Sequence, residues 1–243
     1  ISACLVGSEM CIRDSLMTGD DLEVRRVALD ALFAILTENG ALFPPSFWDT
    51  VCNDVLFPIF NVLRNRSDVT RFSTHEDMSV WLSTTMIQAL RHLIALWTHF
   101  FDTLQSRLGG LLELLCACIC QENDTLARIG TACLQQLIVQ NLTHMDASAW
   151  ELVADAFLRL FRATIATQVF DPALSSTEHA MPATERRAAF KQIIVKCVLQ
   201  LLLIETAHEL LQDTAVYEAV PVAQLLGLTA ALEDSYRFSR RFN

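Results

Sequence analysis

Hydrophobic residues recur along most of this chain at the spacing of amphipathic helices. The apolar positions of the first predicted helix, over 20–38, are Val24, Ala28, Ala31 and Ile35, flanked by Leu29, Leu32 and Leu36. Spacings of three, four and seven residues place such side chains on one face of a helix, which we expect to be buried. Asn39-Gly40 predicts the end of this helix, because glycine readily adopts the backbone conformation of a helix C-terminus.

A second helix is predicted to begin with Ser46 as its N-cap. Two neighbouring apolar stripes run along it, formed by Phe47, Val51, Val55, Ile59 and Leu63 and by Trp48, Cys52, Leu56 and Phe60. A face this wide is typical of a helix that lies between two neighbours. Pro58 is expected to kink the helix, because proline has no N–H to donate to the carbonyl of Asp54.

More helices are predicted after a polar loop at about 65–78. They span roughly 79–104, 111–121, 125–140, 147–167, 184–212 and 222–239. Gly109-Gly110 is expected to interrupt the pattern, and Asn123-Asp124 to cap the helix that follows. A second long loop, at about 168–183, carries Pro172 and Pro182. Loops of this length usually have a function or are mobile.

The chain also contains an internal repeat. Moving it by 102 residues, from Arg26 to Arg128, aligns two segments without a gap. The other matched pairs are Leu32 with Leu134, Asn39 with Asn141, Ser46 with Ser148, Trp48 with Trp150, Asp49 with Glu151, Val51 with Val153 and Leu56 with Leu158. The shift corresponds to two helical hairpins of about 51 residues each, slightly longer than the ~40–47 residues of HEAT and armadillo units. The sequence therefore predicts an all-α fold, a HEAT/armadillo-like α-solenoid of stacked helical hairpins.

Composition and charge exclude several classes of protein. With 52% hydrophobic and 19% charged residues, the chain can bury a core and is not disordered throughout. Seven glycines and six prolines are too few for the turns of a β-rich fold. The net charge of −10 argues against nucleic acid as a partner, and the most basic stretch is best explained as a solvated helix face. That stretch comprises Arg186, Arg187, Lys191 and Lys196.

Membrane spans and disulfides are not expected either. No apolar run approaches the ~18–20 residues that a membrane-spanning helix needs. The eight cysteines show no regular framework, and several fall within helical patterns. This distribution is typical of a reduced, cytosolic protein.

Two groups of residues invite a metal-binding interpretation. Cys116 and Cys120 share a helical face but Cys118 points largely away, so three thiolates cannot converge, and we interpret them as small buried hydrophobic residues. His92 and His99 lie on one helical face with Asp102 a turn later, but this site would need a further ligand from elsewhere. Histidines at the rim of a helix interface are the simpler interpretation. A metal enzyme built on these histidines and the cysteines is one alternative function.

The remaining candidates also have structural explanations. His75-Glu76-Asp77 is interpreted as a solvated turn. The aromatic residues Trp81, Trp97, Phe100 and Phe101, together with Trp48 and Trp150, are assigned to the core. The sequence has no glycine-rich phosphate loop, no Gly-x-Ser-x-Gly and no His-Glu-x-x-His. No catalytic, cofactor-binding or metal-binding residue is therefore assigned, and no cofactor is expected.

Five runs of residues, in this order along the chain, carry a family resemblance. They are Phe47-Trp48 with 56–60, then 81–91, 121–131, 196–201 and finally Ser235-Tyr236-Arg237-Phe238 with Phe242-Asn243. Together they resemble the region downstream of the catalytic domain in large Golgi Arf guanine-nucleotide exchange factors, the brefeldin-A-inhibited branch of the Sec-seven family, in a fungal-like form. The resemblance covers the predicted helical-repeat region at 16–243.

The resemblance implies a non-catalytic regulatory or scaffold segment of an Arf exchange factor that acts in vesicle traffic. Such a segment would be cytoplasmic, peripheral to trans-Golgi and endosomal membranes through its parent chain. It would contact small GTPases of the Arf or Rab type and other regions of the parent, and it is compatible with a homodimer. The family's catalytic stretch, similar to Phe-Arg-Leu-Pro-Gly-Glu, does not occur here, so we expect no exchange activity. A helical-repeat adaptor or a nuclear transport receptor is the alternative.

Residues 1–15 depart from this resemblance. The run from Val6 to Ser15 resembles a string that arises when adapter sequence is translated, so 1–15 is expected to be a non-native leader. The chain also lacks a starting methionine, and we expect it to be part of a longer protein.

Overall fold

In the computed structural model, residues 22–60, 85–172 and 182–242 are described, and every regular element within them is helical. This confirms the predicted all-α class. Contacts divide the chain into two compact units, Ile1–Met145 and Asp146–Asn243. Within the described residues, no helix is both long and apolar enough to cross a membrane.

The described part of the first unit contains seven α-helical segments. They are α1 (Leu22–Asn39), α2 (Pro45–Thr50), α3 (Phe57–Ile59), α4 (Ile87–His99), α5 (Phe101–Leu104), α6 (Leu108–Ile119) and α7 (Asp124–Gln140). Short 3-10 turns lie at Gly40–Leu42 and Gln105–Arg107, and a π-helical segment, Val51–Leu56, joins α2 to α3. The predicted loop at 65–78 lies outside the described residues.

The first unit is held together by apolar contacts of α1 with α4, of α4 with α7, of α6 with α7 and of α3 with α6. The prediction for α1 is wrong for Val24 and Ala31, which are exposed, whereas the residues that it placed at the flank of the buried face are buried. The buried side chains of α1 are Leu29, Leu32, Phe33 and Leu36. Both stripes have helical spacing, and the one with larger side chains removes more apolar surface from water when buried.

The second predicted helix keeps both of its apolar stripes, and seven of their side chains are buried: Trp48, Val51, Cys52, Val55, Leu56, Ile59 and Phe60. Its predicted cap is wrong, because Pro44 occupies the N-cap position and Ser46 lies within the first turn. Pro45 explains this start, since its fixed φ suits the first position of a helix and it has no N–H to satisfy there. Upstream of Pro58 the helix has π geometry, and the N–H of Phe57 donates to the carbonyl of Cys52.

Two further boundaries differ from the prediction. The helix expected over 79–104 is interrupted at Phe100, whose φ of −120° and ψ of 34° leave the helical region. The ring of Phe100 contacts that of Trp48, with centroids 5.3 Å apart, so a tertiary contact accompanies the break. Gly109-Gly110, expected to interrupt the pattern, instead lies inside α6. A Cβ at Gly110 would come within 2.8 Å of the Phe57 ring, so a glycine permits this close approach.

The described part of the second unit contains α8 (Ala147–Thr164), a 3-10 turn (Thr167–Phe170), α9 (Ala183–Gln212), α10 (Thr214–Ala219) and α11 (Val222–Phe242). Helix α8 packs against both α9 and α11, and α9 also contacts α10 and the 3-10 turn. Between α8 and α9, the buried hydroxyl of Thr164 donates to Oε1 of Gln200. Of the predicted loop at 168–183, residues 173–181 lie outside the description.

Three helices begin with the side-chain caps that their sequences favour. Asn123 accepts from the N–H of Leu126 at 3.0 Å, as predicted. Asp146 accepts from the N–H of Ala149 at 2.8 Å, and Asp213 caps α10, a short helix that the sequence pattern did not predict. Each cap satisfies an N–H that has no partner within its own helix.

The two repeat segments have corresponding local structure. Helix α1 ends at Asn39 and α7 at Gln140, within one residue of the shift of 102, and the next helices begin at Pro45 and Ala147, as that shift requires. Asn39 donates to the carbonyl of Ile35 at 2.9 Å, and Asn141 donates to that of Leu137 at 2.7 Å. The stacking of such units into a solenoid remains a prediction.

Candidate interaction surfaces

A groove of about 460 Å³ lies between α1 and α4. It is lined by Asp30, Phe33, Ala34, Thr37, Glu38, His92, Ala95, Leu96 and His99, and we call it the α1–α4 groove. Its floor is apolar, because Phe33 and Leu96 are buried. Its rim carries carboxylates and imidazoles, so it can exchange hydrogen bonds with a polar ligand or a partner side chain.

Asp30 organises one end of the groove. Its Oδ1 accepts a hydrogen bond from Nε2 of Gln88 at 2.7 Å and lies 3.1 Å from Nε2 of His92. Its other oxygen, Oδ2, pairs with Arg26 at 3.3 Å. The imidazole of His92 stacks on Phe33, with ring centroids 5.2 Å apart. These contacts hold His92 in place at the helix interface, where the sequence analysis put it.

The metal candidates are not gathered into one site. His92 and His99 both line the groove, but Asp102 contacts Nδ1 of His144 instead, at 2.9 Å. Across the part of the chain that the structure describes, no three His, Cys, Asp or Glu side chains come together as ligands of a metal ion. His75, Glu76 and Asp77 lie outside the described residues.

The cysteines of α6 have three different environments, so the prediction that all of them are buried is wrong. Cys118 is buried, Cys116 is partly buried and Cys120 is exposed at the helix end. Burial raises the pKa of the Cys118 thiol, and the nearby Cys133 thiol raises it further. Burial likewise raises the pKa of Cys133 to about 11. Thiols that stay protonated in this way are poor nucleophiles and poor metal ligands.

Most of the aromatic candidates belong to the core. Trp97 and Phe101 are buried, Phe100 is partly buried, and Trp81 lies outside the described residues. Trp48 and Trp150, the two residues matched by the repeat, are 1% and 5% exposed. Their burial agrees with the interpretation that each fills the space between helices.

A second surface, which the sequence analysis missed, lies on α9. Phe190, Ile194, Val198 and Leu201 follow one another at helical spacing and are all exposed. Ile194 and Leu201 expose 62% and 67% of their surface. We call these four residues the α9 stripe. Grouped apolar side chains of this kind typically mark a site of interaction.

A sequence signal for the α9 stripe did exist. Helix α9 carries apolar residues all round, and such a helix is normally covered on every side. Its described contacts reach α8, α10 and the 3-10 turn, and the side facing them buries Ile193, Leu199, Leu203 and Leu210. The basic residues singled out in the sequence also belong to α9, and Arg187 is exposed at the N-terminal end of the stripe.

Comparison with known proteins shows which proteins this chain is similar to. The family model described as BIG2 C-terminal domain matches residues 198–243. The ADP-ribosylation factor guanine nucleotide-exchange factor SEC7 of Saccharomyces cerevisiae is 34% identical over 96% of this chain and 16% of its own length. The exchange factor sec72 of Schizosaccharomyces pombe is 36% identical over 95% of this chain and 14% of its own length.

A more distant relative is also named as a guanine nucleotide-exchange protein. Brefeldin A-inhibited guanine nucleotide-exchange protein 1 of Homo sapiens is 25% identical over 66% of this chain and 8% of its own length. The chain thus spans a small part of the curated relatives that it matches. No solved structure matches the chain.

Proposed function

We propose that this chain, which belongs with the Arf guanine nucleotide-exchange factors related to SEC7 and corresponds to one segment of them, is a regulatory scaffold that takes no part in the exchange step. The observation that carries the proposal is the kind of surface it presents. Its described surfaces are a groove with an apolar floor and a charged rim, and an exposed apolar stripe, which suit the binding of macromolecules.

The partners we propose are small GTPases of the Arf or Rab type and other regions of the parent chain. In the parent, the segment would act on the cytoplasmic face of trans-Golgi and endosomal membranes, attached peripherally. The names of SEC7 and sec72 support the Arf connection, because both are described as ADP-ribosylation factor guanine nucleotide-exchange factors. The same names favour this function over a nuclear transport receptor or an adaptor.

We assign the GTPase contact to the α1–α4 groove. Glu38 is exposed on its rim, and Asp30 lies there in a network with Gln88 and His92. Carboxylates on a concave surface attract the basic side chains of a partner and orient it. The apolar floor formed by Phe33 and Leu96 provides the contact that excludes water.

Two measurements test this function. The purified chain should not accelerate nucleotide release from Arf, and it should bind a GTP-loaded small GTPase more strongly than the GDP-loaded form in a pull-down. Glu38→Arg should reduce binding about tenfold or more, because it replaces a rim attraction by a repulsion. Glu218→Arg, an equivalent charge change at an exposed position of α10, is the matched control and should bind normally.

The outcomes separate the parts of the proposal. Nucleotide release stimulated by the chain alone would contradict a non-catalytic role. Equal binding to both nucleotide states, or no binding, would contradict the proposed selective contact with a GTP-loaded GTPase. Binding that Glu38→Arg and Glu218→Arg affect equally would place the contact outside the groove.

A further inference from the structure

One carboxylate of the α1–α4 groove, that of Glu38, lies at an unfavourable position of its own helix. Glu38 is exposed in the last turn of α1, and no cation among the described residues pairs with it. The last turn of a helix carries a partial negative charge, so a carboxylate is repelled there and a basic residue is favoured. The last turn of α1 contains no basic residue. Glu38 therefore costs the unbound chain some stability, which indicates a role other than helix formation.

The C-terminal end of α4 lies beside that of α1. Near one end of the groove, Asp30 of α1 contacts His92 of α4. At the other end, Gly40, directly after α1, approaches the ring of Phe100, directly after α4. The two helices therefore run in the same direction, and the partial negative charges of their C-terminal ends add up where Glu38 lies. This end of the groove attracts a cation.

The rest of the groove fits a side chain with an apolar stem. From Glu38 it extends for about two turns of α1, or about 11 Å, and Phe33, Ala34, Ala95 and Leu96 line this stretch. A flexible chain of methylene groups can cover these apolar side chains while its charged end stays at the carboxylate. Lysine and arginine are the two side chains of this kind.

We propose, building on the GTPase contact assigned to this groove, that the group it recognises is an arginine side chain of the partner, with the guanidinium at Glu38. Two properties favour arginine over lysine. Its planar fork can donate to both carboxylate oxygens of Glu38 at once. Its guanidinium is also less strongly hydrated than an ammonium group, so it loses less hydration beside an apolar floor.

Three small probes separate charge from shape: the N-acetyl amides of arginine, lysine and citrulline. Citrulline has the length and planar end of arginine without its charge, and lysine has the charge without the planar end. Binding to the 243-residue chain is followed by NMR from the imidazole C–H signals of His92 and His99, with those of His144 and His208, outside the groove, as reference. We expect arginine amide to bind with a dissociation constant on the order of millimolar, lysine amide about threefold more weakly and citrulline amide about tenfold more weakly.

Glu38→Gln keeps the shape of the side chain and removes its charge. It should weaken the binding of arginine amide about tenfold. It should also raise the urea midpoint of the unbound chain, because the repulsion at the end of α1 is lost. Glu205→Gln, at an exposed position more than a turn from either end of α9, is the matched control and should change neither quantity. A purely structural role of Glu38 would instead lower the midpoint.

The proposal is overturned if arginine amide shifts no groove signal at about tenfold the expected dissociation constant, or if citrulline or lysine amide binds as tightly. Arginine binding that Glu38→Gln leaves unchanged would overturn it as well. The GTPase pull-down distinguishes this result from the proposed function. A GTPase that binds although arginine amide does not would leave the proposed function intact and remove the arginine. Arginine binding without a GTPase contact would assign the groove to an arginine-bearing partner of another class.

Discussion

Two glycines in the middle of helices should respond in opposite directions to the same substitution. Gly130 lies in α7 and Gly227 in α11, and neither has a positive φ. Alanine at such a position favours the helix by about 1 kcal/mol relative to glycine. Helix propensity alone therefore predicts that Gly130→Ala and Gly227→Ala both stabilise the protein.

The surroundings of the two residues differ. A Cβ at Gly130 would lie 2.8 Å from Cγ1 of Ile119, 3.3 Å from the backbone nitrogen of Ile119 and 3.4 Å from Cβ of Cys118. These atoms belong to α6 and include its backbone, so α6 can yield only by separating from α7. Overpacking of this kind costs about 1–3 kcal/mol. A Cβ at Gly227 would meet only Cδ1 of Leu158, at an ordinary 3.7 Å.

The overpacking cost less the gain in helix propensity leaves Gly130→Ala with a free energy of unfolding lower by up to about 2 kcal/mol. We expect Gly227→Ala to raise it by about 0.5–1 kcal/mol. Urea denaturation followed by far-ultraviolet circular dichroism measures both changes. If Gly130→Ala stabilises the protein as much as Gly227→Ala, the close approach of α6 and α7 at this point is refuted. If both variants destabilise it, the reasoning from helix propensity fails.

Two other predictions concern the core. Trp48→Ala and Trp150→Ala should each lower the free energy of unfolding by about 3–5 kcal/mol, because each empties a large buried site; a variant that unfolds at the wild-type urea concentration would show that its tryptophan does not fill such a space. Stability should also fall as pH rises from about 9.0 to about 11, because the unfolded Cys133 thiol loses its proton at its usual pKa while the folded thiol keeps it up to the raised pKa. The slope of unfolding free energy against pH should be shallower in Cys133→Ala, by up to about 1.4 kcal/mol per pH unit between those values, and equal slopes would contradict the buried thiol.

Local features of this fold could be predicted from sequence because their causes are local. Asn123 begins α7, since its side chain satisfies the N–H of Leu126 within the same turn. The repeat shift correctly paired the end of α1 with that of α7. At each end an asparagine, Asn39 or Asn141, donates its side-chain N–H to the carbonyl four residues earlier in the chain. The family was likewise predicted from runs of residues, and the curated relatives confirm it.

Features that depend on a neighbouring helix could not be predicted in the same way. The periodicity of α1 allowed two apolar stripes, and only packing against α4 selected the one with Leu29 and Leu32. Gly110 was predicted to interrupt a helix, but it lies inside α6. The absence of a side chain there allows the ring of Phe57, on α3, to approach the backbone of α6.

The candidate sites show the same difference between features with local causes and features that depend on a neighbouring helix. The seven-residue spacing of His92 and His99 predicted that they share a face, and both do line the α1–α4 groove. Asp30, which holds His92 in place, comes from a distant part of the chain, and no local spacing could have indicated it. The α9 stripe was missed because periodicity reports that a side chain is apolar, whereas the arrangement of α8, α10 and the 3-10 turn around α9 decides whether it is covered. Sequence thus determined where most helices begin and which of their faces are apolar, and tertiary structure decided which of those faces meet.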